Sequence, residues 1–164
     1  MTRLSQEDAF RFAQGEEVTT THGLRAKLSR PLDWLVVSDH AEMYGLMPQL
    51  LSGDAQQVPA TDQGRAWHEA LTAGDPQRAF DTAMEIVGSL SDQEPPIDKP
   101  KAIKHAWDVY TALADRSNAP GVFSAIIGCE YTTEGANNLH RNVLFRDGSI
   151  RANQTLPFSH TNPR

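Results

Sequence analysis

Trp34-Leu35-Val36-Val37-Ser38-Asp39-His40 passes in a single step from four apolar residues to three polar ones. A continuous apolar run of this length, with Pro31 shortly before it, reads as a strand buried on both faces, the pattern of a parallel sheet covered by helices. Its ending matters as much as its interior, because open parallel sheets and barrels carry their sites at the carboxyl ends of strands. A second mostly apolar run, 122–127, closes with Gly128-Cys129-Glu130, again moving from buried to ionisable chemistry. A third, His140–Phe145, alternates Val143 and Phe145 with Asn142 and Leu144 before the Asp147-Gly148 turn.

Helical signals surround these strands. Ser5 with Asp8 makes a capping-box pattern, and Ala9, Phe10, Phe12 and Ala13 follow before Gly15. Asp75-Pro76 supplies an N-cap and a first-turn proline, with Phe80, Ala83, Met84 and Val87 at helical spacing on the face expected to be buried. Another helix is expected to start near Pro100 and to pack Ile103, Ala106, Trp107, Tyr110 and Leu113 or Ala114. Residues 42–51 read as a helix bent near Pro48, and 52–64 as a mobile connection. The segment 16–30 is polar and punctuated by Gly23, and the tail 149–164 is expected to pack loosely. Alternating strands and helices give an α/β domain, read as one unit over 1–164.

Composition narrows the function by exclusion. Twenty-one acidic against fifteen basic residues leave a net charge of −6, which argues against nucleic acid and anionic membranes as partners. Cys129 is the single cysteine, so an internal disulfide and a cysteine-only zinc site are both excluded. Residues 1–14 lack the plan of a secretory signal and no apolar run approaches the ~20 residues of a spanning helix, so the expectation is a soluble chain, cytoplasmic by default. No phosphate-cradling glycine loop is present.

Asp39, His40, Glu130 and His140 remain as the residues with chemistry to offer. Imidazoles and carboxylates together suit borderline or hard divalent metals such as zinc, manganese or iron. The plainer reading of the same residues is an Asp39–His40 loop pair, a solvated Glu130 and a His140 that merely opens an edge strand. Glu42 is explained equally by lining a site and by sitting near a helix start. Cys129 reads as a buried inert thiol, and His22, His68, His105 and His160 as surface or packing residues.

Four blocks of sequence add a more specific indication. They are 4–16, 30–42 with its Ser38-Asp39-His40-Ala41-Glu42, Gly128-Cys129-Glu130-Tyr131-Thr132, and 138–148 with its Leu139-His140-Arg141-Asn142. In this order they resemble the DUF3604 family, which is in turn similar to the polymerase-and-histidinol-phosphatase (PHP) superfamily of metal-dependent phosphoesterases. The resemblance implies a partial, distorted PHP-like (β/α) barrel, with a mixed sheet and flanking helices, acting on a phosphorylated small molecule. It also implies bound zinc, manganese or iron, with His40 and His140 as imidazole ligands, Glu130 as a carboxylate shared between metals, and Asp39 as a ligand or its neighbour. Arg141 would meet a phosphate oxygen, and Glu42 would line the site. The superfamily's opening His-x-His motif has no counterpart among the six histidines. The chain is therefore expected to be an internal section of such a domain, with open sheet edges that invite self-association. The alternative is a catalytically silent fragment, or a binding or assembly module.

Overall fold

The computed structural model describes residues 4–42, 44–53, 61–89, 99–132 and 139–157. Its elements fall into two compact units.

The first unit opens with α1 (Gln6–Ala13). The Ser5 hydroxyl accepts the Asp8 N–H at 3.1 Å and the Asp8 carboxylate accepts the Ser5 N–H at 2.9 Å, the reciprocal cap expected from the sequence. A small hairpin, β1 (Val18–Thr19) against β2 (Arg25–Ala26), follows within the polar segment. Its apolar contribution is slight, and the Arg25 guanidinium braces it with two bonds to the Glu17 carboxylate at 2.6 and 2.8 Å.

Three further strands form one sheet in the order β3 (Trp34–Val37), β4 (Ser124–Thr132), β5 (His140–Phe145). β3 runs parallel to β4, with Trp34 opposite Ser124 and Val37 opposite Ile127. The architecture is mixed α/β, and no closed barrel forms among the described residues. β3 departs from expectation: Trp34 is 57% exposed and Leu35, Val36 and Val37 are only half-buried. The cause is position, since β3 is an edge of a three-stranded sheet, whereas Ile127, Gly128 and Cys129 on the central strand are buried. Gly128 is required there: a Cβ would stand 2.6 Å from Val36 Cγ2 and 3.0 Å from Leu144 Cδ2, so the two flanking strands close over the glycine.

The carboxyl-terminal part of α5 (Lys99–Ser117) completes this unit. Tyr110 stacks on Phe10, and Phe123 meets Phe10 edge-on, both at 6.5 Å between ring centres. The Tyr110 hydroxyl accepts the Gly128 N–H at 3.2 Å and donates to the Ile126 carbonyl at 3.4 Å, tying α5 to β4. The start of the tail is also held. Residues of α6 (Ser149–Ala152) include a fully buried Ala152, Ser149 donates its N–H to the Asp115 carboxylate, and the Thr111 hydroxyl bonds Asn153 at 2.9 Å. These polar anchors carry no hydrophobic period, which is why composition alone suggests a loose tail; residues 158–164 lie outside the described residues.

The second unit is helical. α2 (Leu46–Ser52) is shorter than the expected 42–51, starting after Gly45, whose φ of 73° and contact with Ala106 leave no room for a side chain. Pro48 falls in its first turn, where a missing N–H is tolerated. α3 (Asp62–Thr72) begins at the cap Thr61, so the connection expected to reach residue 64 ends earlier, and 54–60 lie outside the described residues. α4 (Pro76–Gly88) starts as expected, with the Asp75 carboxylate accepting the N–H groups of Gln77 and Arg78 at 3.0 and 3.2 Å. Its buried face differs from the expectation. Phe80, Met84 and Val87 are 61%, 53% and 55% exposed, while Thr82 and Ile86 are buried, about 200° and 240° around the helix from Phe80. Polar bonds set this rotation: Trp67 and Gln63 of α3 both donate to Glu85 Oε1, at 2.9 and 3.0 Å. Leu46, Leu50, Trp67, Ile86 and Ala102 form the core, and Tyr44 meets Trp107 edge-on at 5.4 Å. On α5 the expected stripe is borne out, with Ile103, Trp107, Tyr110, Leu113 and Ala114 all buried.

Candidate metal centre

The chain leaves β3 at Val37 and one further ladder bond, Glu130 N–H to the Asp39 carbonyl at 2.8 Å, carries the pairing out to the polar residues. β4 continues through Glu130 to Thr132, so the strand runs two residues past Glu130, where the sequence places its end. The apolar run ends earlier than the strand because Glu130, Tyr131 and Thr132 pair through backbone groups that hydrophobicity does not register. β5 opens at His140 as expected.

His40 and His140 come together, their ring centres 5.8 Å apart and their planes inclined by 64°. Thr132 Oγ1 lies 3.3 Å from His140 Nδ1. Glu130 stands two residues before Thr132 on the same strand and so shares its face. One ring nitrogen of His40 lies within 4.8 Å of one of His140. Two imidazole nitrogens bound tetrahedrally at about 2.0–2.1 Å to one ion stand about 3.3 Å apart, so rotations of the two exposed side chains would have to close the remaining distance. Imidazole pairs are donors suited to a borderline divalent cation. Both histidines are exposed, leaving the pair open to exchange with solvent.

The other expected site residues are placed differently. Asp39 does not belong to this group: its carboxylate accepts a 2.7 Å bond from Gln6 Nε2 of α1. Arg141 is exposed and adjacent to His140 on β5, so strand alternation puts its side chain on the opposite face. Glu42 is nearer than its weak sequence signal suggests, with Oε2 3.7 Å from His40 Nδ1 and the side chain 12% exposed. Its other oxygen, Oε1, is buried with no hydrogen-bond partner among the described residues.

Sequence reading misses Thr132, Ser38 and Asn142. The Ser38 hydroxyl donates to Asn142 Oδ1 at 2.5 Å, and Asn142 shares the face of His140 two residues away. The available signal is the strand period of two, which places Thr132 with Glu130 and Asn142 with His140 once the strands are drawn to their full lengths. Cys129, next to Glu130 on β4, is buried and in no disulfide, as expected. Tyr110 is pushed up to about 12, chiefly by burial and further by the Asp39 negative charge, with the Gly128 N–H bond opposing the shift. Its hydroxyl is a neutral strut for β4 and not a proton donor near neutral pH.

Searches of curated proteins and of solved structures return no match. The family model described as protein of unknown function (DUF3604) matches residues 1–164, and the chain belongs to that family.

Proposed function

We propose that the chain supplies part of the metal centre of a hydrolase, with His40, Glu130 and His140 as ligands and a phosphoester as the substrate class. The observation that carries the reading is the pairing of His40, just beyond β3, with His140 at the start of β5, their ring centres 5.8 Å apart. The donor set fits a divalent ion: two imidazoles and a carboxylate are the ligand types of zinc, manganese and iron sites, and the orphaned buried Oε1 of Glu42 adds unsatisfied negative charge beside His40. A bound divalent ion would acidify a water and offset charge developing on an attacked phosphoryl group. The chain's own contribution is positional. β4 fixes Glu130 through its ladder bond to Asp39, Thr132 orients His140, and Gln6 holds Asp39 aside.

Calorimetric titration of the chain with zinc and with manganese tests the reading, followed by hydrolysis assays on p-nitrophenyl phosphate and its diester. Binding that weakens at least tenfold in both His40→Ala and His140→Ala is the expected result; equal affinity in wild type and both variants would sink the ligand assignment. A second reading, a silent assembly module, draws on the exposed stripe of Phe80, Met84 and Val87. It predicts self-association that is lost in Met84→Glu and is indifferent to metal.

A further inference from the structure

Metal-bound imidazoles are normally fixed by a partner on the nitrogen that does not bind the ion, and that partner decides which nitrogen is presented. Both histidines of the candidate centre have an oxygen facing the same ring atom. Glu42 Oε2 faces His40 Nδ1 at 3.7 Å, and Thr132 Oγ1 faces His140 Nδ1 at 3.3 Å. The first separation is longer than a direct hydrogen bond, and a small rotation of either side chain closes it. Glu42 is the more committed of the two partners: its side chain is 12% exposed, and Oε1 is buried without a hydrogen-bond partner among the described residues. A carboxylate kept in so poor an environment has reason to hold the nearest N–H, since an unsatisfied buried acceptor is costly. A merely structural carboxylate on a loop would be expected to turn into solvent.

We infer that Glu42 and Thr132 are positioning residues that fix the Nδ1–H tautomer of His40 and His140, so that both imidazoles present Nε2 to one cation. The inference rests on the metal reading for its purpose, and the tautomers themselves can be read without any metal. Glu42 thereby acquires a role other than contact with substrate. Its carboxylate acts through His40, limiting the rotation of the imidazole.

The test is long-range proton–nitrogen correlation NMR on the whole chain labelled with nitrogen-15 at histidine, at a pH of about 8, where an ordinary imidazole is neutral. His40→Asn and His140→Asn identify the two signals. The expected result is Nδ1–H for both in the wild type. Glu42→Ala should move His40 toward the Nε2–H form that unconstrained histidine favours while His140 stays unchanged, and Glu42→Gln, whose amide oxygen still accepts, should restore Nδ1–H. Zinc affinity should fall about 10–100-fold in Glu42→Ala and recover in Glu42→Gln. An Nε2–H tautomer at His40 in the wild type, or a tautomer indifferent to both substitutions, would overturn the assignment and leave the metal reading standing. Expected tautomers in a wild-type chain that binds no zinc would instead overturn the metal reading and with it the purpose assigned to Glu42. Should Glu42→Ala fail to fold, the wild-type tautomer and Glu42→Gln decide the matter.

Discussion

Removing the Tyr110 hydroxyl should alter both the stability of the chain and the way that stability depends on pH. The ring is fully buried against Phe10, and the hydroxyl accepts the Gly128 N–H and donates a hydrogen bond to the Ile126 carbonyl. In Tyr110→Phe the Gly128 N–H and the Ile126 carbonyl each lose one partner while the β3–β4 ladder remains, a loss of about 0.5–1.5 kcal/mol at neutral pH. The second effect comes from ionisation. Burial raises the folded phenol from the ordinary 10.0 to about 12, so between these values the unfolded chain releases a proton that the folded chain retains. Stability from this source is therefore fully present below pH 10 and falls as pH rises toward 12, by about 1.4 kcal/mol per unit. At pH 11 the advantage of wild type over Tyr110→Phe should be smaller by about 1.4 kcal/mol than at pH 7, from one unit of the two-unit shift. Urea unfolding of both proteins at the two pH values gives the difference directly, and taking it between the pair cancels the titration of every other group. Absorbance of tyrosinate near 295 nm supplies an independent reading of the same pKa. An advantage that stays constant between pH 7 and 11, or a Tyr110 that ionises in the folded chain near 10, would refute the reasoning.

Other substitutions probe the parts of the fold where expectation and structure diverge or agree. Phe80→Ser on the exposed face of α4 should change stability by no more than about 0.5 kcal/mol, whereas Ile86→Ala, on the buried face, should cost about 2–5 kcal/mol; urea midpoints compare the two. Asp75→Ala removes the acceptor for two N–H groups at the start of α4 and should cost about 1 kcal/mol in thermal unfolding. Gly128→Ala inserts a methyl group against Val36 and Leu144 in the central strand and should cost about 1–3 kcal/mol, with amide exchange accelerated along β3 and β4.

The helix starts were legible because their signals are local. Ser5 with Asp8, and Asp75 with Pro76, determine caps through groups no more than three residues apart, and both are found as read. The α5 stripe was legible for a related reason, since its large apolar residues recur on one side and all find cover. α4 carries the same kind of stripe and uses another face. Its rotation is decided by Glu85 receiving bonds from Trp67 and Gln63, residues of a different helix that the α4 sequence does not encode. Likewise, β3 has the composition of a doubly covered strand, and its exposure follows from being the edge of a three-stranded sheet.

The candidate centre divides along the same line. Sequence by itself determined which residues offer metal chemistry and that His40 and His140 stand beside strand termini, because ligand type is a property of single side chains and strand length a property of short runs. Only the tertiary structure decided the membership of the group. It turned the Asp39 carboxylate to Gln6, put Arg141 on the opposite face from His140, and brought Glu42 and Thr132 to the two imidazoles. Those outcomes depend on strand register and on partners as many as 33 residues away in the chain, distances over which sequence pattern carries no geometric information and packing alone fixes direction.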